Sequence, residues 1–357
     1  MKPLLFILIL TVAFSLIKVY QNNKFLDSLE GKRIVLSGKV SSEPTIYDNS
    51  LSIKLQNIYV YLPRYPEISY GDKVKVEGVY KEGKLSDAIL KSHKSSQGIL
   101  YKLRDKLIAF YKKALPEPHA SLVAGVVMGS KKGMPKAFWE DLQKTGTLHV
   151  VVASGMNVTL VAGFLMEALV QVINRKRAVI IAICGIWLYA LLSGFEAPIV
   201  RASVMGSIAF SAQKLGRVYD AWRGLTISII IMLVLKPLYI TDLGFQLSVL
   251  ATASLMKFEM LFNRLLHFVP RIFREGLSTS LAAQIGVAPL LFVSFGQFNL
   301  VSPFINALIL WTIPMITVVG MLVGIISLLS YQVAHLIITL VYPLTFIFVK
   351  VVQGLSF

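Results

Sequence analysis

Leu148-His149-Val150-Val151-Val152-Ala153-Ser154-Gly155-Met156-Asn157-Val158 opens an apolar run that continues to Ile173 with Glu167 as its one acidic residue and no Lys or Arg. A run of this length exceeds the roughly 20 apolar residues that cross a bilayer as a helix. The basic cluster Asn174-Arg175-Lys176-Arg177 that follows it has the character of a cytoplasmic boundary. Apolar runs recur at Ala178 to Leu192, Ile199 to Ala212, Leu225 to Ile240, Phe245 to Met256, Leu277 to Phe295, Ile305 to Leu329 and Val333 to Val352. Several are too short to cross squarely, so some are expected to be broken or buried in a bundle.

Composition agrees. Of 357 residues, 55% are hydrophobic and 15% charged, with a mean hydropathy of +0.67. Soluble domains carry about 25% charged residues, so a polytopic α-helical membrane protein is the fold class. The charges are uneven. Residues 1–114 hold 19 basic and 10 acidic side chains, and the remaining 243 residues hold 17 and 9. A polar front module is therefore followed by a membrane module.

Within the front module, Leu4 to Leu16 is apolar, follows Lys2 and lacks an A-x-A-like cleavage site. It is expected to be an uncleaved transmembrane helix within residues 1–20, its N-terminus cytoplasmic. From Gly31 to Leu90 the period changes to two in Arg33 to Val40, Leu51 to Leu62 and Lys73 to Tyr80, punctuated by Gly and Pro. A small all-β domain over residues 30–95 follows, of a size that suits a five-stranded, OB-like barrel. Residues 97–115 read as an amphipathic linker helix with Ile99, Leu103, Leu107 and Phe110 on its apolar side, and the membrane domain occupies 118–357.

Loop charge orients the chain. Residues 174–177, 214–223 and 257–274 are basic and alternate along the path with 195–197, 241–242 and 296–299, which carry no Lys or Arg. The basic loops belong in the cytoplasm, which puts the β domain outside, as the N-terminal helix also requires.

Cys184 stands alone, so no intrachain disulfide and no cysteine-based zinc site can form. His93, His119, His149, His267 and His335 make no H-x-H or H-E-x-x-H cluster, and no metal or cofactor is expected. The pI near 9.8 fits the positive-inside bias of a polytopic protein, as well as nucleic acid or anionic lipid as partners.

Polar residues inside apolar runs carry the functional information, because lipid tolerates them only when they are paired or wet. Ser154 and Asn157 are three apart and would share a helix face, with His149 near the outer mouth. Packing at a helix interface with a capping histidine explains them equally well. Pro198 begins a helix and Arg201 lies one turn inside it, either ion-paired with Glu196 or Asp242 or contacting passing phosphates. Gln246 points into an apolar helix. Gln284, Pro289, Gln297, Phe298, Asn306 and Pro314 mark discontinuous helices facing a cavity.

Taken in order, these segments resemble the membrane domain of the ComEC family of competence proteins. The signature H-L-L-A-x-S-G-L-H-V is matched by His149 to Val158, P-x-x-R-A by Pro198 to Ala202, and G-F-Q-L-S by Gly244 to Ser248. The late Q-x-x-x-x-P, F-G, P-x-x-N and P pattern falls on Gln284, Pro289, Phe295, Gly296, Pro303, Asn306 and Pro314. The resemblance extends to the OB-like domain and implies a channel component for uptake of single-stranded DNA at the cytoplasmic membrane. His149, Ser154, Asn157, Arg201, Gln246, Gln284 and Asn306 would then line the DNA path. On the β domain, Tyr59 and Tyr61, interleaved with Lys54, Arg64, Lys73 and Lys75 and joined by Tyr65, Tyr70 and Tyr80, offer either a stacking and phosphate surface or half-buried strand residues.

Two departures stand out. Asn157 replaces the signature's second histidine, and the metallo-β-lactamase-like domain that ends many family members, with its H-x-H-x-D-H motif, is missing by Phe357. Either another polypeptide supplies a nuclease of that type or the chain is a fragment or the product of a split gene; such a separate nuclease, a DNA receptor and a cytoplasmic helicase are the expected partners, beside membrane lipid, and no enzymatic activity is expected of this chain. Two other classes compete. One is an intramembrane serine protease, from Ala153-Ser154-Gly155 with His335; the other is a transporter of a small anionic solute.

Overall fold

The computed structural model describes all residues except Met1, 41–43, 47–49, Asn57, Arg64, Glu67, 96–97, Ala153, 297–298 and Phe357. Arg64, Gln297 and Phe298 among the expected residues therefore lie outside the described ones.

Helix α1 spans Lys2–Asp27. At 1.5 Å per residue it is about 39 Å long, more than the hydrocarbon core of a bilayer. Leu5, Phe6, Leu10 and Ile17 face outward, as a lipid-contacting helix requires. Its two interior hydroxyls bond back along the helix, Thr11 to the Ile7 carbonyl at 2.8 Å and Ser15 to the Thr11 carbonyl at 2.9 Å, so neither is left unpaired in lipid.

Six strands follow: β1 (Arg33–Lys39), β2 (Thr45–Ile46), β3 (Ser50–Leu55), β4 (Ile58–Pro63), β5 (Lys73–Lys81) and β6 (Lys84–Lys94). The run Leu51 to Leu62 is a hairpin rather than one strand, turned at Gln56, whose φ is +47°. The order is β1-β5-β6-β4-β3-β2, with β4 and β6 parallel and the other pairs antiparallel. Alternation gives the sheet its core: Leu51, Ile53, Leu55, Ile58, Val60, Leu62, Val74, Val76 and Leu85 point inward. Gly78 sits at an irregularity of the β5–β6 ladder, where a Cβ would stand 2.7 Å from Leu85 Cγ, so a side chain there would collide with the core.

The remainder is helical: α2 (Ile99–Ala114), α3 (His119–Met128), α4 (Lys136–Lys144), α5 (Leu148–Val151), α6 (Gly155–Val170), α7 (Arg175–Leu192), α8 (Ala197–Lys214) and α9 (Ala221–Leu235). A 3-10 turn, Pro237–Thr241, leads to α10 (Leu243–Leu265), α11 (Arg271–Phe295), α12 (Ser302–Ile309), α13 (Thr312–Ser327), α14 (Tyr331–Ile338) and α15 (Tyr342–Gly354). Among the described residues five stretches are long and apolar enough to cross a membrane, or six if the bent pair α12–α13 is one span. The chain is a multi-pass membrane protein. Its main core joins α2, α3, α4, α12, α13 and α15 around Tyr111, Leu122, Phe138, Ile309, Ile313 and Phe348.

Three local expectations need correction. The run from Leu148 is not one helix: Val152 and Ser154 are extended and separate α5 from α6. Pro289 does not interrupt α11, whereas the break expected near Pro314 falls before it, as a 50° bend between α12 and α13. On α2 the buried face is Arg104, Leu107, Ile108, Phe110, Tyr111 and Ala114, while Ile99 is 82% exposed, because the helix packs into the core along its C-terminal half.

The sheet docks on one end of the bundle. Tyr70 lies against Gly194 between α7 and α8, and Lys54 Nζ is 3.7 Å from Asp242 at the start of α10. The basic segments 174–177, 214–223 and 257–274 lie at the opposite ends of these helices.

Candidate functional site

The break between α5 and α6 is the centre of the site. Gly155, first residue of α6, packs against α8: a Cβ there would lie 3.1 Å from Arg201 Nη2 and 3.3 Å from Ala202 Cβ. The missing side chain is what lets the guanidinium lie across the helix start. Arg201 is 8% exposed. Its Nε donates to Ser248 Oγ of α10 at 2.7 Å and its Nη1 to Met205 Sδ at 3.2 Å. The segments 149–158, 198–202 and 244–248 therefore meet at one arginine.

Neither expected ion pair forms. Glu196 accepts from Lys131 Nζ at 3.2 Å, and Asp242 caps α10 by accepting the Phe245 N–H at 2.9 Å while facing Lys54. Among the described residues Arg201 has no carboxylate partner, so its charge is held by neutral dipoles. An arginine at a helix centre costs ~2.5–3.5 kcal/mol on insertion scales, and a serine hydroxyl does not offset that as an acid would.

More polar atoms gather beside it. Asn157 is fully buried, and its Nδ2 donates to the Val126 carbonyl of α3 at 2.8 Å. Its Oδ1 and the Ser154 hydroxyl have no hydrogen-bond partner in close geometry among the described residues, and the buried Tyr189 hydroxyl lies toward Asn157 and Ser193. Ser154 and Asn157 do not share a helix face as expected, because Ser154 is the extended residue before α6. Buried polar groups are normally satisfied, so a cluster of such atoms is suited to a polar guest rather than to holding the fold. Below it, in the loop before α9, Tyr219 carries a phenol that burial pushes above its ordinary value, while the Arg201 charge pulls it back.

Gln246, Gln284 and Asn306 do not join this cluster. Gln246 Nε2 donates to the Ile240 carbonyl at 2.7 Å, tying α10 to the 3-10 turn. Gln284 Nε2 donates to the Asn299 carbonyl at 2.8 Å, and Asn299 in turn donates to the Lys144 carbonyl. Asn306 Nδ2 reaches Ser302 Oγ at 3.4 Å, and Ser302 donates to the Gly146 carbonyl at 3.4 Å. His149 is exposed, with Nδ1 2.9 Å from the same Gly146 carbonyl. Gln284, Asn306 and His149 thus belong to a second polar group, linked to the first through residues 146–157.

The β-domain residues also divide. Tyr59 and Tyr61 are 47% and 39% exposed on β4, with Lys54 Nζ 5.4 Å from the Tyr59 ring centre. Along β6, Tyr59 pairs with Lys84 but Lys73 pairs with Lys94. Ten residues at about 3.3 Å each separate them, so Lys73 and Lys75 do not share a surface with Tyr59 and Tyr61. Tyr65 is exposed, and Tyr80 is buried in the sheet core. Tyr70 is half-buried where sheet and bundle meet, its ring 5.4 Å from Tyr101 and 5.7 Å from the Arg104 guanidinium, and burial pushes its phenol up to about 12.

Sequence reasoning missed Ser248, Tyr189, Ser193 and Arg104. Ser248 closes a motif already noted for Gln246, which is the signal that could have found it. Arg104 lies on the side of α2 expected to be polar. Ser154 and His335, the pair that the serine-protease reading needs, do not meet: His335 stacks on Tyr331, and Ser154 Oγ has no partner among the described residues.

The sequence model described as Competence protein matches residues 126–357. The chain is 26% identical to ComE operon protein 3 of Bacillus subtilis over 207 residues, 58% of this chain and 26% of that protein. Competence protein ComA of Neisseria gonorrhoeae is 27% identical over 199 residues, 52% of this chain and 27% of ComA. Recombination protein 2 of Haemophilus influenzae is 22% identical over 239 residues, 64% of this chain and 30% of that protein. The chain thus spans roughly a quarter to a third of the length of the curated relatives it matches. No solved structure matches it.

Proposed function

Because the chain belongs to the competence protein family and is of the ComEC type, we propose that it forms the membrane-embedded path by which single-stranded DNA enters the cell during natural transformation. One observation carries this reading: a buried arginine without an acid among the described residues, at the meeting point of three family segments and beside the unpartnered Ser154 hydroxyl. A passing phosphate supplies the counter-charge that Ser248 cannot, and it leaves again because nothing there grips a base. The chain's role is positional rather than catalytic. In this reading a nuclease, a DNA receptor and a cytoplasmic helicase supply the remaining steps.

The β domain is OB-like in this reading. Its parallel β4–β6 pair, and the placing of consecutive β1 and β2 at opposite ends of the sheet order, are what a barrel closed by one broken first strand would give. The domain lies outside the cytoplasmic membrane, with the N-terminus inside, since it docks at the end of the bundle away from the basic loops. A cysteine placed at Ser50 reacts with a membrane-impermeant maleimide in intact, wall-permeabilised cells; labelling only after lysis reverses the orientation.

The test of function is uptake of labelled DNA in a transformable host carrying wild type, Arg201→Gln or Arg201→Lys at equal membrane abundance. Glutamine abolishes uptake, and lysine restores it in part, keeping the charge but not the planar fork. Normal uptake by the glutamine variant refutes the reading.

A further inference from the structure

Nothing in the path through Arg201 uses the first turns of α2. That helix enters the main core by its C-terminal half, which leaves Ile99 and Leu100 ahead of the core and Ile99 82% exposed. The last turn of α7 presents Leu191 and Leu192 to them, and a cavity of about 300 Å³ lies between the two helices, closed by Tyr101 and Arg104. Its lining is apolar apart from that tyrosine and guanidinium, and no Asp or Glu among the described residues faces it. The two residues that close it also meet the β domain. Gly71, at φ +90°, lies where a Cβ would collide with the Tyr101 ring, and that ring packs on Tyr70 at 5.4 Å between centres. Arg104 Cζ stands 5.7 Å from the centre of the Tyr70 ring, and Lys39 Nζ, at the end of β1, stands 4.7 Å from that of Tyr101. A tyrosine pair flanked by two cations thus borders an apolar cavity. On its other side α7 turns Ile181 and Leu188 outward, as a lipid-facing helix does, and ends at Leu192, two residues before Gly194 meets Tyr70. The cavity therefore lies where apolar helix gives way to the docked β domain, the level at which a bilayer changes from acyl chain to headgroup.

We propose that this cavity binds one anionic phospholipid, with an acyl chain among Ile99, Leu100, Leu191 and Leu192 and the headgroup phosphate at Lys39, over the Tyr101 ring. A mostly apolar pocket of this size with a few placed polar groups is the usual form of a small-molecule site. Each half of it fits one half of a phospholipid. The exposed Lys39 ammonium supplies a charge-assisted contact to the phosphate, and the Arg104 guanidinium in the wall favours an anion over a neutral ligand. A nucleic acid would use the cations, but it has no use for a cavity walled by four aliphatic side chains. Because Lys39 belongs to the sheet and the cavity to α2 and α7, the bound lipid fastens the β domain to the bundle. The site is separate from the path through Arg201 and does not rest on the uptake reading.

The experiment is native mass spectrometry of the full chain in zwitterionic detergent, titrated with phosphatidylglycerol or phosphatidylcholine that carries a photoactivatable acyl chain. The wild type retains one phosphatidylglycerol, and its cross-links, read in proteolytic peptides, fall on residues 98–104 and 188–192. Lys39→Gln weakens retention about fivefold, the effect of one lysine beside an anionic lipid, and Lys39→Arg restores it. Leu100→Trp, which fills the cavity, abolishes the retained lipid. Equal retention of the two lipids overturns the site, as does unchanged retention in Lys39→Gln, a variant of an exposed residue that leaves the fold intact. Cross-links scattered over the spans with none on 98–104 overturn it as well, without recourse to any variant. Displacement of the lipid by an oligothymidylate overturns it in favour of nucleic acid.

Discussion

The β domain and the site around the break between α5 and α6 treat their polar groups in opposite ways. In the β domain, buried Asp72 accepts the Ser69 N–H at 2.8 Å and faces His93 Nε2 at 2.8 Å, and Glu77 is shared between Arg33 at 3.0 Å and Lys91 at 2.9 Å. At that break, Arg201 has a serine and a thioether, and the Ser154 hydroxyl has no partner among the described residues. One region spends its polar groups on its own fold. The other leaves them outside the bonds of the described fold, which is the condition that the proposed path for a charged polymer needs.

The comparison is tested most severely at Gly155. A valine there places methyl groups where Arg201 and Ala202 now lie, prises α6 from α8 and moves the guanidinium off Ser248. DNA uptake should fall to background while the protein still inserts at normal abundance in a membrane-fraction blot. Uptake that survives would mean that the meeting of the three segments is incidental.

Next in size is Asp72→Ala. Removing a buried carboxylate from its partners should destabilise the β domain by about 3 kcal/mol, read as denaturant-dependent proteolysis in the full chain. Ser154→Ala should behave in the contrary way. A hydroxyl that satisfies nothing costs the fold within about 0.5 kcal/mol when removed, so the same assay should register no change. Equal losses in the two variants would erase the distinction between the regions.

The smallest effect is at Glu77. The hydrogen bond from Lys91, helped by the Lys91 and Arg33 charges, holds its carboxyl below the usual range against the opposing effect of desolvation. A lowered folded value means that the contribution is complete above the ordinary glutamate range and is lost as pH falls through the folded value. Unfolding of the β domain should therefore ease between about pH 5 and pH 3, and less steeply in Glu77→Gln.

Much of the architecture is legible in the sequence. Alternation over 51–62 and 73–80 predicts strands, because a half-buried strand must place every second side chain inward, and Ile53, Leu55, Val60, Val74 and Val76 do turn inward. Scarcity of charge over more than two hundred residues signals a membrane protein, since lipid excludes unpaired charge. The order of four short segments points to the family, which the match over residues 126–357 bears out. These properties depend on local periodicity and composition, which a chain carries whatever its fold.

Only the tertiary structure decided which groups meet. Arg201 and Ser248 are 47 residues apart, and their bond depends on how α8 and α10 pack and rotate. Glu196 is the nearer candidate in sequence, but Lys131 from another loop takes it. The same holds for Tyr59 and Lys73, close in the chain yet placed at opposite ends of β6 by strand register. Sequence spacing reports neighbours along one element; partners across elements follow from packing, register and the small residues that permit close approach, and Gly155 shows its purpose only when Arg201 is seen lying against it.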